Sequence, residues 1–144
     1  MADLSELYQQ LIIEHNRSPR NFRTLPDANG SAEGDTPLCG YRINLQLRVE
    51  DGVIKDIGFQ GSGCAISRAS ASLMTAAVQG RTTAEADKLF QAFHGMVTAH
   101  PDAAVDTAAL GKLAALSGVR RFPGRVKCAT MAWHTLQNAI ESAR

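Results

Sequence analysis

At 144 residues, with 44% hydrophobic and 20% charged residues, the chain is long enough for one domain with a real core and too short for two of full size. Lys and Arg number 15 against 14 Asp and Glu, a balance that disfavours a nucleic-acid partner. The first residues, Met-Ala-Asp-Leu-Ser-Glu, lack a basic region and an apolar stretch, and no apolar run reaches the roughly 20 residues that cross a bilayer. We therefore expect one domain over 1–144, cytoplasmic and without a membrane partner.

Residues 3–16 place Leu4, Leu7, Tyr8, Leu11 and Ile12 at helical spacing, with Asp3 and Glu6 set as a capping box. This predicts an amphipathic helix docked on the domain. From 17 to 36, Pro19, Pro26, Gly30 and Gly34 stand among polar residues without periodicity, which reads as an irregular loop leading to Cys39. Strict alternation then begins: Ile43, Leu45, Leu47 and Val49 share one face, and Arg42, Asn44, Gln46 and Arg48 the other. Asp51-Gly52 is a two-residue turn signal, after which Val53, Ile57 and Phe59 share a parity that Lys55 interrupts. The expectation is an antiparallel hairpin.

After Gly61-Ser62-Gly63-Cys64, residues 65–79 are rich in Ala and other small residues and stop at Gly80, which predicts a closely packed helix beginning at Cys64. A second helix is expected over 83–100, with Leu89, Phe93, Met96 and Val97 on its apolar face and Pro101 closing it. Residues 106–117 read as a short capped helix. A basic connector, 120–127, is broken by Pro123-Gly124, and Cys128 opens a final helix with Ala132, Leu136, Ala139 and Ile140 as its stripe. Strands grouped before helices predict an α+β domain, an antiparallel sheet with helices packed on one face.

Three cysteines cannot all pair, and a chain with its own core needs no disulfide staples, so free thiols are the better reading. Each sits where irregular chain meets regular structure: Cys39 before a strand, Cys64 and Cys128 at expected helix starts. A helix N-terminus stabilises a thiolate through its unpaired N–H groups and partial positive charge. Thiolates bind zinc or iron and attack sulfur, and three convergent ones supply most of a tetrahedral site. Arg125 and Lys127 would favour the Cys128 thiolate. The competing reading is that the cysteines are small buried hydrophobes, because their wide spacing is no zinc-finger signature. His15, His94, His100 and His134 read as surface or packing residues, and Arg120, Arg121, Arg125 and Lys127 as a solvated patch or a partner-docking one.

The segments around the cysteines are Thr36-Pro37-Leu38-Cys39-Gly40, Gly61-Ser62-Gly63-Cys64-Ala65-Ile66-Ser67 and Arg125-Val126-Lys127-Cys128-Ala129-Thr130. In this order they closely resemble the SufU branch of the U-type iron-sulfur scaffold family. Leu7-Tyr8, His15, Ser18-Pro19-Arg20-Asn21-Phe22 and residues 113–123 extend the likeness over nearly the whole chain. The stretch 83–106 looks like the SufU-type insertion, and Lys127 stands where IscU-like proteins carry a histidine. The resemblance implies that Cys39, Cys64 and Cys128 gather at one end of the fold, bind zinc, and accept persulfide sulfur from a SufS-like cysteine desulfurase. It equally admits a scaffold that assembles a [2Fe-2S] cluster and passes it to recipient apoproteins.

One departure matters. The family pattern Cys-Gly-Asp becomes Cys39-Gly40-Tyr41, so the usual carboxylate ligand is missing. Tyr41 could ligate only as phenolate, whose free pKa near 10 makes it a poor competitor at neutral pH. A water, a partner's side chain or Asp35 would then complete the site, or the site stays empty. In the leading expectation Cys39 is the persulfide acceptor, because it follows an irregular loop and thiol exchange needs an approachable nucleophile. Arg125 supports a thiolate or contacts the partner. The alternative is a non-catalytic metal-binding or interaction paralogue inactivated by Tyr41.

Overall fold

The computed structural model describes residues 4–36, 40–100 and 102–143. Its elements run α1 (Leu4–Arg17), β1 (Gly30–Thr36), β2 (Tyr41–Glu50), β3 (Val53–Ser62), α2 (Ala65–Val78), α3 (Thr83–Thr98), α4 (Thr107–Leu110), a 3-10 helix (Gly111–Arg121) and α5 (Pro123–Ser142). The strands form an antiparallel sheet in the order β1-β2-β3. The expected α+β architecture is what folds.

The alternation in β2 acts as read: Tyr41, Ile43, Leu45 and Leu47 are buried, and the side chains between them lie on the open face. Helix α5 lies under β1 and β2, and α2 packs against α5 and β3. Where α2 crosses α5 the chain is built of small residues, and Ser70 donates a hydrogen bond to the Ala129 carbonyl at 2.5 Å. Segment 83–98 earns its place by packing: Phe90 and Phe93 stack on the fully buried Trp133 of α5. Its N-terminus is fixed by a reciprocal capping box between Thr82 and Glu85.

Three sequence expectations need correction. The first is the loop read over 17–36, which in fact ends in β1. Gly-Ser-Ala-Glu-Gly-Asp-Thr carries no β-branched alternation, and its strand is imposed by the partners on either side. In-register pairing with β2 supplies one, and close approach to α5 the other: a Cβ on Gly30 would lie 2.6 Å from the Ala139 carbonyl, and one on Gly34 would collide with Thr135. The second concerns β3. Arg48 pairs with Asp56 but Val49 pairs with Ile54, so a bulge at Lys55 resets the parity and turns Ile54, not Val53, into the core.

The third bears on the site. Helix α5 begins at Pro123, a residue suited to the first helical turn because it lacks an N–H that would go unused there. Cys128 therefore lies in the second turn and is 1% exposed, so the helix-start argument for its ionisation falls away. The remaining elements follow the reading, with α1 over 4–17 and the 106–117 helix divided into α4, capped by Asp106, and the 3-10 helix. Asp3 of the expected capping box lies outside the described residues.

Candidate functional site

Cys64 is the N-cap of α2, with extended backbone and its carbonyl accepting from Arg68 N–H at 3.1 Å. Its sulfur lies 3.4 Å from the Ser67 hydroxyl. The Cys128 thiol and the N–H groups of Ser67 and Ile66 lie near enough to favour its thiolate, although none makes a side-chain cap. Burial raises the Cys64 pKa, but the hydrogen bonds from Ser67, Cys128 and Ile66 outweigh it and lower the thiol from 9.0 to about 7. Cys128 sits beneath, its sulfur 3.8 Å from the Gly124 carbonyl. Two sequence-predicted thiols are thus brought together from residues 64 apart in the chain. Cys39 lies outside the described residues.

Tyr41 opens β2 and turns inward, 2% exposed, with its ring laid over Gly63. A Cβ on Gly63 would lie 2.5 Å from the tyrosine ring carbon Cδ2, so glycine is required there for the ring to seat. The residue at the family's acidic position has become part of the core and a wall behind Cys64. Asp35 does not complete the site. It pairs in register with Arg42, and strand alternation sends both side chains to the open face of the sheet, opposite Tyr41.

Arg125 is exposed in the first turn of α5 and lines, with Cys64, a groove of about 870 Å³ between α1 and the 3-10 helix. Tyr8, Ile12 and Ile66 give it apolar lining, and Arg120 and Arg121 line it along with Arg125. Sequence reasoning missed this concavity, because no periodicity shows that α1 and residues 115–122 face one another. It also missed Ser67, whose hydroxyl meets the Cys64 sulfur, and Ser70, which ties α2 to α5. A run of serines on the buried face of α2 was the available signal.

The histidines are not part of the site. His94, His100 and His134 are exposed, while His15 is buried and its Nδ1 shares a 2.6 Å hydrogen bond with Ser72 Oγ, which also accepts from Arg20 N–H. Among the described residues no three His, Cys, Asp or Glu side chains cluster closely enough to hold a metal ion. The two neighbouring thiols are the soft ligands that zinc and iron prefer. No described helix is long and apolar enough to cross a membrane.

Comparison with known proteins places these features in a family. The NifU-like N terminal domain matches residues 7–129. The zinc-dependent sulfurtransferase SufU of Bacillus subtilis is 38% identical over 140 residues, covering 96% of this chain and 92% of that protein. The iron-sulfur cluster assembly scaffold protein IscU of Streptococcus pyogenes is 37% identical over 141 residues, covering 98% and 87%. Among solved structures, a candidate iron-sulfur cluster assembly scaffold protein for the SUF system from Fervidobacterium islandicum superposes with a TM-score of 0.84 at 28% identity, over 96% of this chain and 99% of that one. Matched over nearly all its length by relatives of both kinds, the chain belongs to the NifU-like N-terminal domain family of SufU and IscU proteins.

Proposed function

We propose that this chain serves iron-sulfur cluster assembly by accepting persulfide sulfur from a cysteine desulfurase, at a zinc site made by Cys39, Cys64 and Cys128. The observation that carries the reading is that Cys64, the N-cap of α2, and Cys128 of α5 are brought near one another where the two helices pack. Membership in the family of a zinc-dependent sulfurtransferase supports it.

Cys39 is the acceptor. Cys64 is held at the α2 N-cap and Cys128 is buried in α5, so neither can advance toward a partner's active site. In the transfer, the Cys39 thiolate attacks the outer sulfur of the donor's persulfide. The donor's S–S bond breaks, its cysteine leaves as thiolate, and Cys39 carries the sulfane sulfur as its own persulfide. Zinc, when bound, supplies a positive charge that keeps its thiol ligands deprotonated at neutral pH. Arg125, exposed at the rim, meets the partner or stabilises negative charge there. A [2Fe-2S] cluster is cargo in this scheme, destined for recipient apoproteins, and the setting is the cytoplasm.

A second reading, a metal-binding or interaction paralogue that no longer transfers sulfur, is favoured by one observation: Tyr41 is buried against Gly63 where the family pattern has its carboxylate ligand. Elemental analysis of protein purified without added metal decides between them, together with sulfur transfer from a desulfurase. About one zinc per chain, lost along with sulfur acceptance in Cys39→Ser, supports the acceptor. A metal-free native chain that gains zinc only as Tyr41→Asp supports the paralogue. Full sulfur acceptance by Cys39→Ser overturns the assignment of Cys39.

A further inference from the structure

Helix α1 rests on the outside of the core, packed chiefly on α2 and the 3-10 helix, and the contact that fixes it is titratable. Among its described side chains only His15 is buried, at 3% exposure, while Leu7 and Ile13 stay exposed and Tyr8, Leu11 and Ile12 are half-covered. His15 Nδ1 lies 2.6 Å from Ser72 Oγ of α2, and the same oxygen accepts from the Arg20 N–H at 2.7 Å. A backbone N–H can only donate, so that bond takes a lone pair of Ser72, whose hydroxyl has His15 as its other partner among the described residues. The hydroxyl hydrogen therefore points to Nδ1, which makes Nδ1 an acceptor and leaves the ring neutral with its proton on Nε2. Beyond Arg20 the chain runs along the edge of β3: the Asn21 carbonyl accepts from Phe59 N–H at 2.9 Å, and Arg23 N–H donates to the Phe59 carbonyl at 3.1 Å. One buried hydroxyl thus ties both the end of α1 and the strap 18–23 to α2.

We infer that His15 is a proton-operated latch: in its neutral form it holds α1 and residues 18–23 on α2, and on protonation it releases them while the core stays folded. A proton on Nδ1 sets donor against donor, so the Ser72 hydrogen must turn away from its acceptor and a charge must sit where water is excluded. The surrounding charges add to this. Arg20 of the strap and Lys112 of the 3-10 helix repel an imidazolium, Glu14 on α1 attracts it but is already paired with Arg20, and α2 meets the ring through the uncharged Ser72. The docked segment thus favours the neutral ring, and its hold weakens as pH falls below the 6.5 of an ordinary histidine. Release is local, because the fully buried side chains come from elsewhere: Leu45 of β2, Met74 of α2, Phe93 of α3 and Trp133 of α5 among them, and none from the described part of α1 except His15. Tyr8 and Ile12 also line the groove beside Cys64, so the latch couples proton concentration to the shape of that groove. The inference stands independently of the sulfur-acceptor reading.

The test is hydrogen exchange of the full chain, read by mass spectrometry of its peptides at about pH 7.5 and 5.5 and corrected for the pH dependence of intrinsic exchange. With the ordinary histidine pKa of 6.5 in the released segment, the released population grows by up to about tenfold between the two. Protection of residues 4–23 should fall by nearly that factor, with β2 and α5 unchanged. In His15→Gln, which keeps a polar side chain but does not titrate, residues 4–23 should be equally protected at both pH values. Ser72→Ala removes the shared hydroxyl and should leave the segment at least as open at the higher pH as the native segment is at the lower, again with β2 and α5 protected. Native protection of residues 4–23 that ignores pH, an equal fall in β2 and α5, a pH dependence that survives in His15→Gln, or native-like protection in Ser72→Ala would each overturn the inference. Should His15→Gln fail to fold, the native profile and Ser72→Ala still decide it.

Discussion

Replacing Gly63 with alanine tests the claim that Tyr41 is packed into the wall behind Cys64. The new methyl group would lie 2.5 Å from ring carbon Cδ2 of Tyr41 and 3.3 Å from the Ser67 Cβ, and the ring, 2% exposed, has no open space to enter. Inserting a methyl group into such packing costs about 1–3 kcal/mol. Removing the ring with Tyr41→Ala opens a cavity at a cost of about 3–5 kcal/mol, by analogy with other large aromatic truncations, but also removes the obstacle. In that background Gly63→Ala should cost less than about 0.5 kcal/mol, so the two changes couple by about 1–2 kcal/mol, within the range for residues in contact. Equilibrium urea denaturation of the four proteins measures this directly, with unchanged slopes as the control. A Gly63→Ala cost below about 0.5 kcal/mol in the native background, or the same cost in both, would refute the packing argument and return Tyr41 to consideration as a mobile ligand.

Two further predictions follow from the titratable groups. In the metal-free chain, alkylation of Cys64 should rise with pH to half its plateau near pH 7, and Ser67→Ala should move that midpoint upward by removing hydrogen bonding to the thiolate; a midpoint near 9.0 in the native chain would contradict the arrangement. His15 has a folded pKa below its ordinary 6.5, chiefly through burial, with Arg20 and Lys112 adding to the effect and Glu14 opposing it. The unfolded chain then binds the proton more readily, so the stability is fully present above pH 6.5 and is lost as pH falls from there through the lower folded value. Urea midpoints measured across pH 7 to 5 should fall more steeply for the native chain than for His15→Gln, and parallel curves would dismiss the effect.

What the sequence determined by itself was whatever rests on local pattern. Ile43, Leu45 and Leu47 alternate with polar residues, and an extended strand buries them while wetting Arg42 and Asn44, so β2 and its buried face were legible. The Asp51-Gly52 turn, the small-residue helix after Cys64 and the three ordered cysteine segments were equally plain, and the segments led to the family. Tertiary structure alone decided what depends on a distant partner. Gly30 to Thr36 became a strand because β2 and α5 close on it from two sides, although its own residues favour no such state. Ile54 displaced Val53 from the core through a bulge that alternation cannot announce. Pro123 started α5 early and put Cys128 in the helix interior rather than at a free helix terminus. The groove at Cys64 exists only because residues 8–12 and 115–122 face each other across it. Side-chain chemistry is written residue by residue, whereas apposition across more than a hundred positions arises only when burial of the shared core fixes how helices and sheet meet.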